Sequence, residues 1–166
     1  MTTLWAPWRI NYVGKTLKQK GCLLCKFAKE KRPNKKNLVF LTSKLSFSVL
    51  NKFPYNNGHV MICPRRHIKN LSQLAKNEIL DLIELLIKTQ KLLDTSLSAQ
   101  GYNIGINIGR VAGAGIENHL HIHLVPRWKG DTNFMPIIAK TKVISQSLEE
   151  LFKKLKKLSK NAQENK

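Results

Sequence analysis

The stretch that most constrains this chain is Asn118-His119-Leu120-His121-Ile122-His123-Leu124-Val125-Pro126-Arg127-Trp128. Three of the five histidines fall at i, i+2 and i+4, with Leu120, Ile122 and Leu124 between them. A β-strand sends alternate side chains to opposite faces, so the pattern predicts three imidazoles on one face and three aliphatics on the other. Aliphatic residues of this kind suit a half-buried strand, and Pro126 is expected to end it by removing a ladder donor. Metal storage or coincidence is the bland reading. With only five histidines in the chain, a shared chemical task explains the alternation better.

The rest of the chain supplies a frame for such a strand. A length of 166 residues suits a single domain, 1–166, large enough to bury a real core. No apolar run reaches the ~18–20 residues of a membrane span, and Thr2-Thr3-Leu4-Trp5 is no signal peptide, so no membrane partner and a cytoplasmic location are expected. Twenty-nine lysines and arginines against ten acids give a net charge of +19. Such a field attracts polyanions, nucleotides included. The surplus is scattered lysine with a cluster at Lys153, Lys154, Lys156, Lys157 and Lys160, and no nucleic-acid-reading motif accompanies it, so no specific nucleic-acid partner is expected.

Two tryptophans, Trp5 and Trp8, flank Pro7 in an arm, 1–21, expected to pack on the body or on a partner subunit. Lys29 to Asn37 reads as a loop. Leu38–Leu41, Phe47–Leu50 and His59–Cys63 read as strands, the third stopped by Pro64, with Cys63 a buried thiol. The main helix is expected from Asn77, as its cap, to about Ser98, with Gly101 just past its end. Ile79, Leu82, Ile83, Leu86, Leu93 and Leu97 form its apolar stripe. Tyr102–Ile108 alternates as a strand. Ser147-Leu148-Glu149-Glu150 is a capping box opening a terminal helix, the C-terminal helical region being set at 143–160, with Leu148, Leu151, Phe152, Leu155 and Leu158 on one side and a loose tail, 161–166. Strands around one long helix indicate an α+β fold with an antiparallel sheet.

Imidazole is a competent nucleophile near neutrality, with an ordinary pKa of about 6.5. Attack on phosphorus needs a neutral nitrogen held in line and neighbours that neutralise the phosphate oxygens. Three histidines on one face meet both needs. The run Gly109 to Gly115 lies just before them, and small residues let backbone amides approach phosphate closely. By itself that run is equally a flexible turn. Cys22-Leu23-Leu24-Cys25 raises a metal, because two thiolates with two further ligands make a closed tetrahedral zinc site; a reduced, metal-free dithiol is the alternative. Trp128 either lines a substrate site or packs, and Arg127 either neutralises a phosphate or is a surface arginine. No acidic cluster makes a dedicated magnesium site, so magnesium would come with a substrate.

The segment His119-Leu120-His121-Ile122-His123-Leu124-Val125 resembles the motif that defines the histidine triad (HIT) family. Leu4-Trp5-Ala6-Pro7-Trp8-Arg9, Pro54-Tyr55-Asn56-Asn57-Gly58-His59, Ala112-Gly113-Ala114-Gly115-Ile116 and Gly130-Asp131-Thr132-Asn133-Phe134-Met135-Pro136 are similar to the bacterial branch of diadenosine tetraphosphate phosphorylases. The resemblance implies a HIT-like fold, a homodimer, and nucleotidyl transfer with His121 as nucleophile. His119, His123 and His59 would then orient it or hold phosphate oxygens. Asn51 matches a ribose-holding position, though it also suits the coming turn. Cys22, Cys25, His67 and His119 match the zinc ligands of some relatives. Gly115 stands where many HIT hydrolases carry glutamine, and Gly113-Ala114-Gly115-Ile116 fits the phosphorylases, with backbone amides or Asn107 supplying the missing hydrogen bonds. The expected substrates are a dinucleoside polyphosphate and inorganic phosphate. The alternatives are a HIT nucleotide hydrolase or phosphoramidase, or a nucleotide-binding protein without turnover.

Overall fold

The computed structural model describes residues 21–30, 33–131 and 144–164. The arm at 1–20 and the segment Thr132–Pro136 lie outside them, so the expectations for Trp5 and Trp8 do too. The order is α1 (Leu23–Ala28), β1 (Val39–Thr42), β2 (Ser46–Leu50), β3 (Val60–Pro64), α2 (Lys76–Leu97), β4 (Gly101–Ile106), β5 (Ile122–Arg127) and α3 (Leu148–Glu164). The strands form one antiparallel sheet ordered β1-β2-β3-β5-β4. This is the expected α+β architecture, with a long central helix and a C-terminal one. Among the described residues no helix is long and apolar enough to cross a membrane.

Side-chain alternation along the strands builds two cores on opposite faces. Phe40, Leu50, Val60, Ile62, Ile122 and Leu124 pack under α2 and α3. Val39, Phe47, Val49, Met61 and Cys63 pack on the other face against Leu24 of α1. Cys63 is buried, as expected. Leu151, Phe152 and Leu155 anchor α3, each fully buried side chain contributing about 1.5–3 kcal/mol. Ser147 Oγ accepts the Glu150 amide at 3.2 Å, the capping contact expected there. The helix begins at Leu148 and not at 143, and it continues to Glu164, so residues 161–164 are helical where a loose tail was expected.

Helix α2 differs from expectation in three details. It starts at Lys76 with Ala75 as its N-cap, not Asn77. Glu78 does the capping work instead: its Oε2 accepts the Ala75 amide at 2.9 Å. At the other end Ser98, not Gly101, takes the left-handed conformation that closes the helix, while Gly101 already belongs to β4. The buried stripe runs through Leu82, Leu85, Leu86, Thr89, Leu92 and Leu93, and Ile79 and Ile83 are 45% and 41% exposed. The helix carries two apolar stripes, and a polar bond selects between them. Thr89 donates to the Leu85 carbonyl at 2.7 Å and accepts from Ser48 of β2 at 2.7 Å, which turns the Thr89 side inward.

Pro64 ends its strand as that strand's last residue, whereas Pro126 does not stop its own. Pro126 lies inside β5 opposite Tyr102 of β4. Its backbone faces the β3 side, beyond the last β3 pair at Val60–Leu124, so no ladder donor is needed there. Its carbonyl accepts from Asn56 Nδ2 at 3.1 Å. Gly58 turns the chain toward His59 at φ +73°, where an added Cβ would come within 2.5 Å of Leu97 Cδ1 and 3.0 Å of Pro126 Cγ. Only glycine fits that site.

The start of α2 gives a test of these contacts. Arg66 grips Glu78 through two bonds of 2.9 and 2.7 Å. The guanidinium, with the Ala75 amide behind it, holds the Glu78 carboxyl down at about 2, against 4.5 for an ordinary glutamate. A depressed carboxyl stabilises the fold above its unfolded pKa and loses that contribution as pH falls through the folded one. Glu78→Gln is expected to cost about 1–2 kcal/mol at pH 7, a figure reduced for the half-exposed arginine. In denaturant melts the gap from the parent protein should narrow as pH falls from 4.5 toward 2; a gap that stays constant with pH would contradict it.

Candidate active site and metal centre

The three histidines gather as the alternation requires, although only the third lies in the ladder. Strand β5 begins at Ile122, so His119, Leu120 and His121 precede it. The reason lies in β3, where Cys63 and Pro64 pair with β2 alone. The Pro64 carbonyl is taken by a side chain: His119 Nε2–H donates to it at 2.8 Å. Leu120 N–H donates to the Ile68 carbonyl at 2.6 Å and helps hold the segment. Leu120, Ile122 and Leu124 are buried, as the pattern predicts.

Hydrogen bonds to groups of fixed role set the tautomers. A carbonyl only accepts, so the 2.8 Å contact of His121 Nδ1 with the His119 carbonyl places the proton on Nδ1. The lone pair of neutral His121 is then on Nε2. Burial lowers the pKa of His121, partly offset by that same carbonyl, and keeps the ring neutral at pH 7. Backbone amides only donate, so the 3.1 Å bond from Tyr55 N–H makes His59 Nδ1 an acceptor. His59 Nε2–H then donates to His123 Nδ1 at 2.9 Å, which leaves the His123 proton on Nε2. His121 and His123 meet edge to face with ring centres 4.8 Å apart. His59, 60 residues away in sequence, thus stands against the triad as expected.

His121 and His123 line an open cleft of ≈ 350 Å³, measured out into its mouth. Asn51 borders it, with its Oδ1 accepting the Phe53 amide at 2.9 Å and its Nδ2 3.4 Å from both His59 nitrogens. Asn51 therefore shapes the turn and also faces the cleft. Gly113, Gly115 and Ile116 form the opposite wall. The amides of Gly113 and Ala114 are spent inside their own loop, on Arg110 O at 2.9 Å and Gly109 O at 3.3 Å. Ala114 is buried, and it does not line the cleft. Asn107 Nδ2 reaches Gly113 O at 3.4 Å and steadies the loop from behind.

Two candidates fall elsewhere. Trp128 packs on the end of α2, its indole N–H pointing at Ser98 O (3.1 Å) and Leu97 O (3.3 Å). Five residues of extended chain separate it from His123, about 16 Å at ~3.3 Å per residue, so it is not part of this cleft. Arg127 clamps Asp131, bonded at 2.6 and 2.8 Å, and it does not line this cleft. Conversely, Phe53, Tyr55 and Met61 line the cleft without having stood out as site residues. Tyr55 stacks on His59 with ring centres 4.5 Å apart. An aromatic in a loop of turn formers was the available signal.

Among the described residues, Cys22, Cys25, His67 and His119 form a further constellation that could hold a metal. Their ligand atoms all lie within 4.8 Å of one another. Tetrahedral zinc with Zn–S of about 2.3 Å and Zn–N of about 2.0 Å separates its ligand atoms by about 3.3–3.8 Å. His119 Nδ1 lies 3.4 and 3.5 Å from the two sulfurs, and His67 Nδ1 lies 3.1 Å from Cys25 Sγ. The His119 proton is on Nε2, bound to Pro64, so Nδ1 presents its lone pair to the sulfurs. Burial and the adjacent Cys22 push the Cys25 thiol up to about 11. A bound cation would relieve that penalty on the thiolate. The residues fit zinc.

Comparison with known proteins agrees with this geometry. The family model for the HIT domain matches residues 32–130. AP-4-A phosphorylase of Mycobacterium tuberculosis is 35% identical over 155 residues, covering 89% of this chain and 78% of that protein. The asymmetrical bis(5'-nucleosyl)-tetraphosphatase of Schizosaccharomyces pombe is 38% identical over 93 residues, 56% of this chain and 50% of that one. Among solved structures, a Zn-bound histidine triad family protein from Mycobacterium smegmatis shares the fold at a TM-score of 0.69 with 21% identity, over 88% of this chain and 98% of that one. With the histidine alternation, the antiparallel sheet and the family match all in agreement, the chain belongs to the HIT domain family.

Proposed function

We propose that this protein is an enzyme that splits a dinucleoside polyphosphate, diadenosine tetraphosphate, by two nucleotidyl transfers through His121. The observation that carries the reading is the bond from His121 Nδ1–H to the His119 carbonyl, which leaves Nε2 unprotonated beside the cleft. In the first transfer Nε2 attacks the α-phosphorus. A P–N bond forms, the P–O bond to the remaining nucleoside polyphosphate breaks, and ATP leaves as a stable anion. His123, its Nδ1 occupied by His59, turns an N–H donor outward to the phosphate oxygens or the leaving oxygen. In the second transfer the acceptor attacks the nucleotidyl-histidine and the pair of electrons returns to Nε2. Magnesium would arrive with the polyphosphate.

Inorganic phosphate is the acceptor in this reading, giving ADP, and water would give AMP. Two features support phosphate: Gly115 in place of the glutamine common in HIT hydrolases, and the 35% identity to a protein named as a phosphorylase. Cys22, Cys25, His67 and His119 would hold a structural zinc that fixes α1 and the His67 loop to the triad. Such a metal would supply folding energy and touch no reacting atom. A homodimer is part of the same reading. It is supported by the edge strand β4, with Ile104 52% exposed, and by the second apolar stripe of α2 at Ile79, Ile83 and Ile87.

Each of these assignments has a direct test. His121→Ala should lose turnover by at least about 10⁴-fold while binding nucleotide and melting within a few degrees of the parent. Parent protein quenched during turnover should carry an acid-labile nucleotide on His121, read by peptide mapping; a label on His119 or His123 would reassign the roles. Product analysis on diadenosine tetraphosphate with phosphate present should give mainly ADP plus ATP. AMP plus ATP at every phosphate concentration would make the enzyme a hydrolase. Elemental analysis of protein purified without chelator should find about one zinc per chain. Its removal should lower the melting temperature by about 5–10 °C, the shift expected of a ligand held at roughly 100 times its Kd. An unchanged melt after removal and return of zinc would exclude a structural site.

A further inference from the structure

His119, Leu120 and His121 stand outside the β-ladder. The ladder bonds that would fix a catalytic residue within a strand are replaced here by three other contacts. Leu120 N–H bonds to Ile68 O, next to His67, and His119 Nε2–H bonds to Pro64 O. The third contact is the approach of Cys22 and Cys25 to His119 Nδ1 at 3.4 and 3.5 Å. The His119 ring is thus gripped along both edges, by a strand carbonyl on one nitrogen and by sulfur on the other. The carbonyl of the same residue holds His121 Nδ1–H at 2.8 Å. The ring contacts anchor the His119 main chain through its side chain, so a shift of that main chain moves the acceptor that fixes the tautomer and aim of His121.

The sulfurs are the part of this grip that ordinary chemistry can remove. Cys22 and Cys25 are partly exposed, three residues apart, with sulfurs within 4.8 Å of each other; Cys63 is buried. We propose that Cys22 and Cys25 are positioning residues for His121, and that their oxidation to a disulfide by a hydroperoxide turns nucleotidyl transfer down. This rests on the reading of His121 as the nucleophile. In the oxidation the two thiols give up two electrons and two protons, an S–S bond forms, and the peroxide O–O bond breaks to leave water and an alcohol, or two waters from hydrogen peroxide. A disulfide sulfur has no thiolate to offer a cation, and a bond of about 2 Å pulls both sulfurs toward each other and off His119. A thiol reductant reverses the step.

The test uses the whole protein, reduced and loaded with zinc, treated with graded hydrogen peroxide. The expected result is a loss of about 2 Da per chain, the two hydrogens of disulfide formation, mapped to Cys22–Cys25 and accompanied by zinc release. The ¹⁵N resonances of the His121 ring should shift in the same proportion, and kcat should fall about 10- to 100-fold with KM changed less than about twofold. Dithiothreitol plus zinc should restore all four. Cys63→Ala should respond as the parent does. Cys22→Ser/Cys25→Ser should show no peroxide response. His67→Ala, at an exposed position, weakens the same grip without touching a thiol and should lower kcat with KM held. The proposal is overturned if the disulfide forms while His121 resonances and turnover stay unchanged, or if peroxide leaves both cysteines reduced. If reduced protein shows no turnover, the catalytic reading has failed, and the His121 resonances still decide whether the cysteines position that ring.

Discussion

Everything functional here depends on the pairing of β3 with β5. Three residue pairs, Val60–Leu124, Met61–His123 and Ile62–Ile122, make that seam. It joins residues about 60 positions apart and brings the turn carrying Asn51, Tyr55 and His59 against the triad. It also brings the end of β3, where Pro64 offers a carbonyl, to the ring of His119. Because the seam is short, the segment before Ile122 leaves the ladder and is fixed by side-chain bonds instead. The same short seam leaves Pro126 beyond the reach of β3, where its missing N–H costs nothing.

The chemistry then follows from which partners are able only to give or only to take a proton. Two backbone groups decide the protonation of His121, His59 and His123, as the Pro64 carbonyl does for His119. The His119 carbonyl forces one proton onto His121 Nδ1, and the Tyr55 amide forces a lone pair onto His59 Nδ1. From these two fixed points the remaining protons are placed through His59 to His123. The result is a bare nitrogen on His121 next to an N–H donor on His123. A lone-pair nitrogen and an N–H donor thus come from chemically identical side chains, distinguished by the hydrogen-bond partner of the other ring nitrogen. Two of the backbone and ring contacts come from parts of the chain with no local reason to be near each other, and the sheet supplies that reason.

How far this could be read in advance follows the range of each signal. The triad, the aliphatics between its members and the Cys22–Cys25–His67–His119 set were legible, since they depend on period-two alternation or on matched spacing within a known motif. The α+β class and the C-terminal cap at Ser147 were legible for the same local reason. Helix α2 was found with Leu82, Leu86, Leu93 and Leu97 on its core side, but Ile79 and Ile83 were counted with them in place of Leu85, Thr89 and Leu92. Two apolar stripes compete on it, and the Ser48–Thr89 bond that chooses between them is a tertiary contact. Trp128 was ambiguous because its position after β5 fixes its distance from the triad only once the strand is known to run through Pro126. Tyr55 was passed over because its decisive group is a backbone amide, which no side-chain pattern reveals.

The order β1-β2-β3-β5-β4 carries a kinetic consequence. The chain contains a local meander, β1 to β3, and a second local pair, β4 with β5, separated by α2. Closing neighbouring strands costs less loop entropy than closing the β3–β5 seam across the long helix, so the seam is the late event in folding. His59 and His123 sit on its two sides. A chain stalled with both halves formed would therefore show much of its native secondary structure and none of its histidine cluster, and recovery of catalysis during refolding would lag behind recovery of the circular dichroism signal.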